Sequence, residues 1–185
     1  RFESRGLGDV YKRQVLRPDV LDRTLEAISD VPGRRICLSP RGRRFDQAFA
    51  KELAHEPGVV LVCGRYEGID QRVIEAREME EVSLGDFVLT GGEIAAQALL
   101  DATVRLLPGV IGSEQGLDEE SFEDGLLEYP QYTHPKIWKG RSVPEVLLSG
   151  NHKKIAEWKK QQSELVTRNY RPDLWEAYEG VKVQI

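Results

Sequence analysis

Three loops of glycine and small polar residues stand beside short apolar runs, and they are the first places in this sequence where a ligand could bind. The loops lie within residues 36–42, 59–68 and 83–92. Short β-branched runs that end at glycine are typical of buried strands in a parallel sheet. Ligands of open α/β sheets bind beyond the carboxyl ends of such strands, where glycine lets a backbone come close. The chemistry expected here is therefore ligand binding by backbone amides and carbonyls.

These loops do not match the two best-known phosphate-binding patterns. The glycines do not form a GxGxxG series, and no Gly-Lys-Ser/Thr follows at the spacing of a P-loop. The structural alternative for any one loop is a tight turn that only joins two strands. A third such loop in the same chain weakens this alternative but leaves it open.

Turn and capping signals predict the elements that position these loops. A helix is predicted from Val15, with Pro18 early, ending at Pro32 and Gly33, and Asp46 is predicted to cap the next helix. Phe49 and Leu53 are four residues apart and are expected on one face of that helix. The remaining predictions are a strand ending near Ser39, a strand at 59–63, a short segment at 70–77, and a second apolar run at 87–89 leading to Thr90.

A long helix is predicted from Glu93 to Leu107, ended by Pro108 and Gly109. Its apolar positions form a wide face: Ile94, Ala95, Ala98, Leu99, Ala102 and Leu106. Its polar stripe consists of Glu93, Gln97, Asp101 and Arg105. From spacing alone, Arg105 is most simply an ion-pair partner of Asp101, worth a few tenths of a kcal/mol.

Charge is distributed unevenly along the second half of the chain. Residues 112–128 hold seven acidic residues and no basic one, whereas residues 134–171 hold nine Lys or Arg against three Glu. The first segment is typical of a linker. The second includes a predicted amphipathic helix after Asn151, with Ile155, Trp158, Leu165 and Val166 on its apolar stripe. Because the net charge of the chain is -5, nucleic-acid binding would need such a local basic patch.

The cysteines and the hydropathy pattern predict a cytosolic protein. Cys37 and Cys63 have no CxxC spacing and no histidine cluster, so reduced, buried thiols are expected and no metal site. No apolar run is long enough for a membrane-spanning helix, and no signal-peptide pattern is present.

Five stretches of the sequence together resemble one family of enzymes. In order along the chain they read LSPRGRRFDQ, LVCGRYEGIDQRV, SLGDFVLTGGE, GLLEYPQYTHP and VPEVLLSGNHKKI. Their order and spacing are similar to those of the bacterial tRNA (guanine-37-N1)-methyltransferases over roughly residues 15–175. The resemblance implies an α/β fold, a trefoil-knotted methyltransferase domain with a parallel sheet flanked by helices, and a small helical carboxyl-terminal domain.

The resemblance also divides the chain into segments. Residues 15–111 are expected to be the knotted domain, 112–128 an acidic interdomain linker, and 129–185 a helical tRNA-binding domain. Residues 1–14 resemble nothing in the family and are interpreted as a leader outside it, with an artefact as the alternative interpretation. Family members begin with a strand, a helix and a glycine-rich loop, and we expect that amino-terminal part to be missing from this chain.

The activity that the resemblance implies is transfer of a methyl group from S-adenosylmethionine to N1 of guanosine 37 in tRNA. The residues matching the family's donor-binding loops are Leu38, Ser39, Pro40, Gly64, Tyr66, Glu67, Leu84, Gly85, Asp86, Phe87, Val88, Leu89, Gly91 and Gly92. Gly64 and Gly91 are expected either to let the ligand approach closely or to form a turn with positive φ.

The resemblance further assigns Arg105 and Glu120 as the catalytic residues. The family usually has an aspartate immediately before Ser-Phe, and Glu120 stands at that position here, with Asp118 as the fallback candidate. Family members are homodimers whose active site is shared between subunits, and Mg²⁺ assists their reaction, although no cluster in this sequence is typical of an all-protein metal site.

Two other functions fit parts of the sequence. One is a knotted RNA- or nucleotide-binding fragment without turnover, because the amino-terminal strand and loop are expected to be absent. The other is an α/β nucleotide-binding protein of unrelated chemistry, in which the basic carboxyl-terminal region would be incidental.

Overall fold

The computed structural model describes residues 15–111 and 120–182, which divide between two compact units, Arg1–Gly112 and Ser113–Ile185. The strands are β1 (Val15–Leu16), β2 (Arg34–Arg44), β3 (Val59–Cys63), β4 (Gly68–Ile69), β5 (Glu80–Ser83), β6 (Ile137–Trp138) and β7 (Arg141–Ser142). The helices are α1 (Pro18–Glu26), α2 (Gln47–Ala54), α3 (Gln71–Ala76), α4 (Glu93–Val104), α5 (Glu145–Leu148), α6 (His152–Tyr170) and α7 (Pro172–Lys182). The predicted leader at 1–14 and Asp118 lie outside the described residues.

A three-stranded parallel sheet organises the first unit, in the order β3–β2–β5. Consecutive residues of the central strand β2 pack into two different apolar clusters. Cys37 packs in a cluster that includes residues of α1 and α3, and Ile36 packs in one that includes residues of α2 and α4. Since neighbouring side chains of a strand point to opposite faces, helices cover both faces of this sheet. The predicted α/β class is confirmed.

Side-chain caps begin the helices on both sides of the sheet. The Asp46 carboxylate accepts a hydrogen bond from the backbone N–H of Phe49 across 2.8 Å at the start of α2. Phe49 and Leu53 are both buried, so the predicted cap and the predicted apolar face of this helix are confirmed. Asp70 caps α3 in the same way, accepting from the backbone N–H of Arg72 across 3.0 Å.

The sequence prediction was wrong at the first helix and at the second apolar run. Val15 and Leu16 form a short strand parallel to β4, and the helix begins only at Pro18 and ends at Glu26. Residues 87–89 were expected to form a strand, but they do not. The strand in this region is β5, which ends before that run. Phe87 and Val88 are 54% and 83% exposed. Pairing with β2 selects Glu80–Ser83 as the strand, although its two glutamates make it look polar in sequence.

The central strand is longer than predicted because it leaves the sheet and returns to it. Leu38 and Arg43 both pair with Val82, so residues 39–42 form an irregular excursion between them. The strand therefore continues past Ser39, its predicted end, to Arg44. A local pattern does not report this second pairing, because Arg43 and Arg44 are polar and their partners lie about forty residues away in β5.

Helix α4 ends three residues before its predicted end. Leu106 N–H bonds to the carbonyl of Thr103, and Leu107 N–H to that of Val104, so the last turn tightens to i→i+3 spacing. The buried face of α4 also differs from the prediction. Ala95, Ala96, Leu99 and Thr103 are buried, whereas Ile94 is 62% exposed.

The second unit is built around α6, which begins after Asn151 as predicted. The Asn151 side chain accepts from the backbone N–H of Lys154 across 3.1 Å. Ile155 and Trp158 are half-buried, but Leu165 is 51% exposed and the fully buried position is Thr167. The prediction of Leu165 as an apolar contact is therefore wrong. The trefoil knot implied by the resemblance stays a prediction.

Candidate functional site

A cavity of about 450 Å³ opens at the carboxyl ends of the three parallel strands. Its volume falls in the range of small-molecule sites, and its position is the usual one for a ligand of an open α/β sheet. It is lined by thirteen of the fourteen residues that the resemblance assigned to donor binding: Leu38, Ser39, Pro40, Gly64, Tyr66, Glu67, Leu84, Gly85, Phe87, Val88, Leu89, Gly91 and Gly92. Asp86 is exposed and is not among the lining residues.

The first wall of the cavity is the excursion of β2 at residues 39–42. Gly42 lies against the backbone of Glu81 and Val82 so closely that a Cβ there would overlap it. The Arg41 side chain holds the excursion through hydrogen bonds to the Glu81 carboxylate at 2.9 Å and to Gln71 at 3.1 Å. The excursion thus has a backbone anchor at its end and a side-chain anchor in its middle.

The second and third walls are joined to each other. Gly92 N–H donates to the Gly64 carbonyl across 3.0 Å, and Arg65 forms an antiparallel bridge with Gly91. The Arg65 guanidinium also donates from Nε to a Glu93 carboxylate oxygen at 2.7 Å. The loop after β3 and the amino-terminal end of α4 are therefore held together at the cavity.

Gly64, Gly91 and Gly92 are restricted by the space around them and not by an unusual backbone conformation. Gly64 and Gly91 are not among the residues with positive φ, so the predicted positive-φ turn at these two positions is wrong. A Cβ on Gly92 would lie 2.9 Å from the Cα of Cys63. At Gly64, a Cβ would meet the Ile69 side chain at 3.3 Å. A side chain at Gly92 would therefore overlap backbone, and one at Gly64 would press on a neighbouring side chain.

The turn after β5 is stabilised by a serine hydroxyl. Ser83 Oγ donates to the Gly85 carbonyl at 3.0 Å and lies 3.3 Å from the Gly85 N–H. A Cβ on Gly85 would lie 2.8 Å from the ring of Phe87. The turn therefore reverses the chain tightly and leaves Phe87 and Val88 on the rim of the cavity.

The thiols in this region are poorly suited to be nucleophiles. Burial, helped by the nearby Glu81 carboxylate, raises the pKa of the Cys37 thiol to about 11, and burial also raises the pKa of Cys63. Both cysteines are free, Cys37 is buried and Cys63 half-buried. A protonated thiol is a weak nucleophile, so Cys37 contributes packing and shape to the cavity wall.

Several lining residues were absent from the sequence prediction. They include Val15, Cys37, Arg41, Ile69, Ile74 and Thr90. Arg41 and Thr90 stand inside the same loops as predicted residues, so loop membership was a usable signal for them. Val15 and Ile74 reach the cavity through pairing of β1 with β4 and through helix packing, for which one-dimensional spacing offers no signal.

Glu120 lies at the start of a closed loop in the second unit. Phe122 N–H donates to the Leu126 carbonyl at 2.7 Å, and Ser121 Oγ accepts from the Glu128 N–H at 2.9 Å. The loop is attached to α6 because the Leu127 N–H donates to Thr167 Oγ1 at 2.8 Å. Sequence reasoning missed Thr167.

Arg105 caps the carboxyl end of α4 and is half-buried. Its backbone N–H bonds to the Asp101 carbonyl across 3.3 Å. It is not among the described residues that line the cavity of its own chain. The two predicted catalytic residues therefore lie in different units, Arg105 in the first and Glu120 in the second.

Two negative findings concern the described residues. Within 15–111 and 120–182, no group of three or more His, Cys, Asp and Glu side chains is arranged to hold a metal ion. In the same part of the chain, no helix is both long and apolar enough to cross a membrane.

Comparison with known proteins identifies the family. The family described as tRNA (Guanine-1)-methyltransferase TrmD matches residues 8–177 of this chain. The chain belongs to this family. The match begins inside the segment that the sequence analysis assigned to a leader, so residues 8–14 are included in the region of similarity.

Named relatives of the tRNA (guanine-1)-methyltransferase family are similar over most of this chain. A tRNA (guanine-N(1)-)-methyltransferase of Ruegeria pomeroyi is 58% identical over 171 residues, which are 91% of this chain and 70% of that protein. The protein of the same name from Rhodospirillum rubrum is 54% identical over 171 residues, or 92% of this chain and 72% of the relative. That of Rhodopseudomonas palustris is 60% identical over 164 residues, covering 88% of this chain and 65% of the relative.

Proposed function

We propose that this protein transfers a methyl group from S-adenosylmethionine to N1 of guanosine 37 in tRNA, next to the anticodon. One observation carries the proposal: thirteen residues from three separate loops, each assigned by family motif, line a single cavity. A random set of loop residues would not converge in this way. Because the same chain belongs to a family named for this reaction, the cavity is best interpreted as the methyl donor's site.

The cavity fits the donor in size and in the chemistry of its walls. A nucleoside with an amino-acid side chain fits within about 450 Å³. Backbone groups of the three loops supply both donors and acceptors, which suits a purine edge and a ribose better than a phosphate. The bound donor supplies a methyl group that is reactive without further activation, so the protein's task is alignment.

Glu120 is proposed to take the proton from N1 of the target guanine. N1 is a poor nucleophile while protonated, and a carboxylate within hydrogen-bond reach can act as the general base. The target base must leave its stack to reach such a group. Hydrogen bonds close the loop of residues 121–128 and attach it to Thr167, which supports accurate positioning of the neighbouring Glu120.

Arg105 is proposed to stabilise the negative charge that develops on O6 when N1 loses its proton. Arg105 does not line the cavity of its own chain. A homodimer in which Arg105 serves the partner's cavity accounts for this arrangement. The exposed apolar side chains of α4 support such an interface: Ile94, Leu100 and Val104 are 62%, 40% and 41% exposed.

The tRNA is proposed to bind through basic side chains of the second unit. Lys153, Lys154 and Lys160 are all exposed on α6. Neutralised phosphates release counterions, so a local basic surface can bind RNA even in an acidic protein. Mg²⁺ is proposed only as an assisting ion, bound together with substrates, since such ions usually keep several waters and few protein ligands.

Methyl transfer to two tRNA transcripts tests the proposal. A transcript with guanosine at position 37 should incorporate labelled methyl from S-adenosylmethionine, and the matched transcript with adenosine at 37 should not. Nuclease digestion should place the label in 1-methylguanosine. Binding of donor and tRNA without transfer would instead favour the second candidate, a binding protein without turnover. Equal labelling of both transcripts would overturn the assigned target.

A further inference from the structure

The second unit contains a small β-hairpin that has no part in the proposed donor cavity or in the basic surface of α6. Strands β6 and β7 pair antiparallel, with Ile137 opposite Ser142 and Trp138 opposite Arg141. Two residues connect them, Lys139 with φ 48° and Gly140 with φ 77°. Positive φ at both positions is typical of a type I′ turn, whose twist matches that of the strands.

The hairpin exposes its large apolar side chains. Ile137 is 64% exposed and Trp138 is 56% exposed, and every residue from 131 to 142 is exposed. An isolated two-stranded hairpin has little stability of its own. Grouped apolar side chains that are not used to build a core are typical of a contact surface.

The charges of the hairpin are all of one sign. Lys136, Lys139 and Arg141 are exposed, and residues 129–144 contain no Asp or Glu. The Lys139 ammonium lies 5.0 Å from the centre of the Trp138 ring, so a cation stands beside the exposed aromatic face. A protein partner with a buried interface core would favour fewer lysines here. An aromatic ring among Lys and Arg side chains is the usual combination for unpaired nucleotides.

We propose that Trp138 stacks on an unpaired base of the tRNA while Lys136, Lys139 and Arg141 bind the neighbouring phosphates. The inference rests on the proposed function for the identity of the RNA. It adds a second RNA contact, separate from the lysines of α6. Stacking accepts any base, so the hairpin is expected to add affinity and orientation without selecting a sequence.

Two substitutions of the tryptophan separate stacking from folding. Trp138→Ala should weaken binding of a fluorescent guanosine-37 tRNA transcript by about 5- to 100-fold, as expected for loss of one stacked base. Trp138→Phe retains an aromatic face and should bind within a few-fold of wild type. Tyr170→Ala is the matched control, because Tyr170 is a 75% exposed aromatic residue of the same unit outside the hairpin, and it should bind normally.

The basic residues of the hairpin, unlike Trp138, are expected to affect how strongly tRNA binding depends on salt concentration. Replacing Lys136, Lys139 and Arg141 together with Ala should reduce the slope of log K against log salt by about 2, given about 0.7 per phosphate for single strands. Trp138→Ala should leave that slope unchanged. Circular dichroism and S-adenosylmethionine titration confirm that every variant is folded.

The outcomes distinguish this inference from the proposed function. If wild type binds tRNA and Trp138→Ala binds equally well, the hairpin inference is overturned and the proposed function stands. If Trp138→Ala alters only the sedimentation coefficient, the hairpin is a protein contact and the inference is likewise wrong. If wild type binds the donor but no tRNA, both proposals fail together.

Discussion

The backbone N–H of Gly92 donates to the carbonyl oxygen of Gly64 across 3.0 Å, which joins the two loops that face each other at the candidate cavity. A Cβ on Gly92 would lie 2.9 Å from the Cα of Cys63. A backbone atom cannot swing aside as the end of a long side chain can. Any side chain at Gly92 would therefore push the two loops apart.

Gly92→Ala is expected to weaken S-adenosylmethionine binding on the order of 10- to 100-fold, because displaced loops misplace the groups that hold the ligand. Isothermal titration measures this loss, and circular dichroism should remain unchanged. The control is Gly180→Ala in α7, where an added Cβ meets nothing within 4 Å. Normal donor binding by Gly92→Ala would exclude the assigned cavity.

Thr167→Val should destabilise the second unit and reduce methyl transfer together. Thr167 is fully buried, accepts from the Leu127 N–H at 2.8 Å and donates to the Ser163 carbonyl at 2.7 Å. Valine has nearly the same shape but would leave the Leu127 N–H unpaired, at a cost of about 1–3 kcal/mol. Urea unfolding measures the loss. Thr167→Ser keeps the hydroxyl and should restore turnover, and an inactive but fully stable valine variant would contradict this account.

Glu120→Gln should lower turnover on the order of 10²–10⁴-fold, as is usual when a general base is removed. Donor and tRNA affinities should stay near wild type, because the amide has the same size. Glu120→Asp has the residue usual in the family and should be active. Asp124→Asn changes an exposed carboxylate of the same loop and should have no effect. Single-turnover methylation rates test this prediction. Full activity of Glu120→Gln would show that Glu120 is not the general base.

Mixing two variants that each have low activity at a limiting concentration of S-adenosylmethionine tests whether the active site is shared. Arg105→Ala removes the proposed O6 contact, and Gly92→Ala damages the donor cavity. If Arg105 serves the partner's cavity, a mixed dimer has one site with both lesions and one with neither, so activity should reappear. The mixture is unfolded and refolded before methylation is measured. Each variant has a different tag, so that formation of mixed dimers can be monitored. Exchange without recovery would place Arg105 in its own subunit's site.

Asp70→Asn should flatten the acid dependence of stability. Hydrogen bonds from the side chain and backbone of Arg72 lower the pKa of Asp70 from 3.8 to about 2. The folded protein thus binds this proton less readily than the unfolded chain. The stabilisation is complete above about pH 4 and is lost as the pH falls toward about 2. Asparagine can still cap α3 but does not titrate.

Urea midpoints measured between about pH 5 and about pH 2 should therefore fall less steeply for Asp70→Asn than for wild type. Part of the acid dependence should persist in this variant, because the Arg171 side chain lowers the pKa of Asp173 to about 2 in the second unit. Superimposable profiles of wild type and Asp70→Asn would contradict this prediction, because they would mean that the pKa of Asp70 is the same in the folded and unfolded states.

Much of the cavity's composition was determined by the sequence alone. The cap at Asp46, the strand Val59–Cys63 and the glycine loop after it depend on interactions within a few residues, and the structure has them where the pattern predicts. Local hydrogen bonding and strand periodicity suffice for such features, because neighbouring residues decide them. The resemblance to the family, and not the local pattern, assigned the thirteen residues that line the cavity.

Only the tertiary structure decided the features that depend on distant partners. The excursion of β2 exists because Leu38 and Arg43 pair with the same residue of β5, and Gly92 must be small because Cys63 is adjacent in space. The buried Thr167 hydroxyl accepts a hydrogen bond from Leu127, which lies forty residues earlier in the chain. In each case the energy comes from a contact between residues far apart in sequence, and one-dimensional spacing contains no record of such a contact.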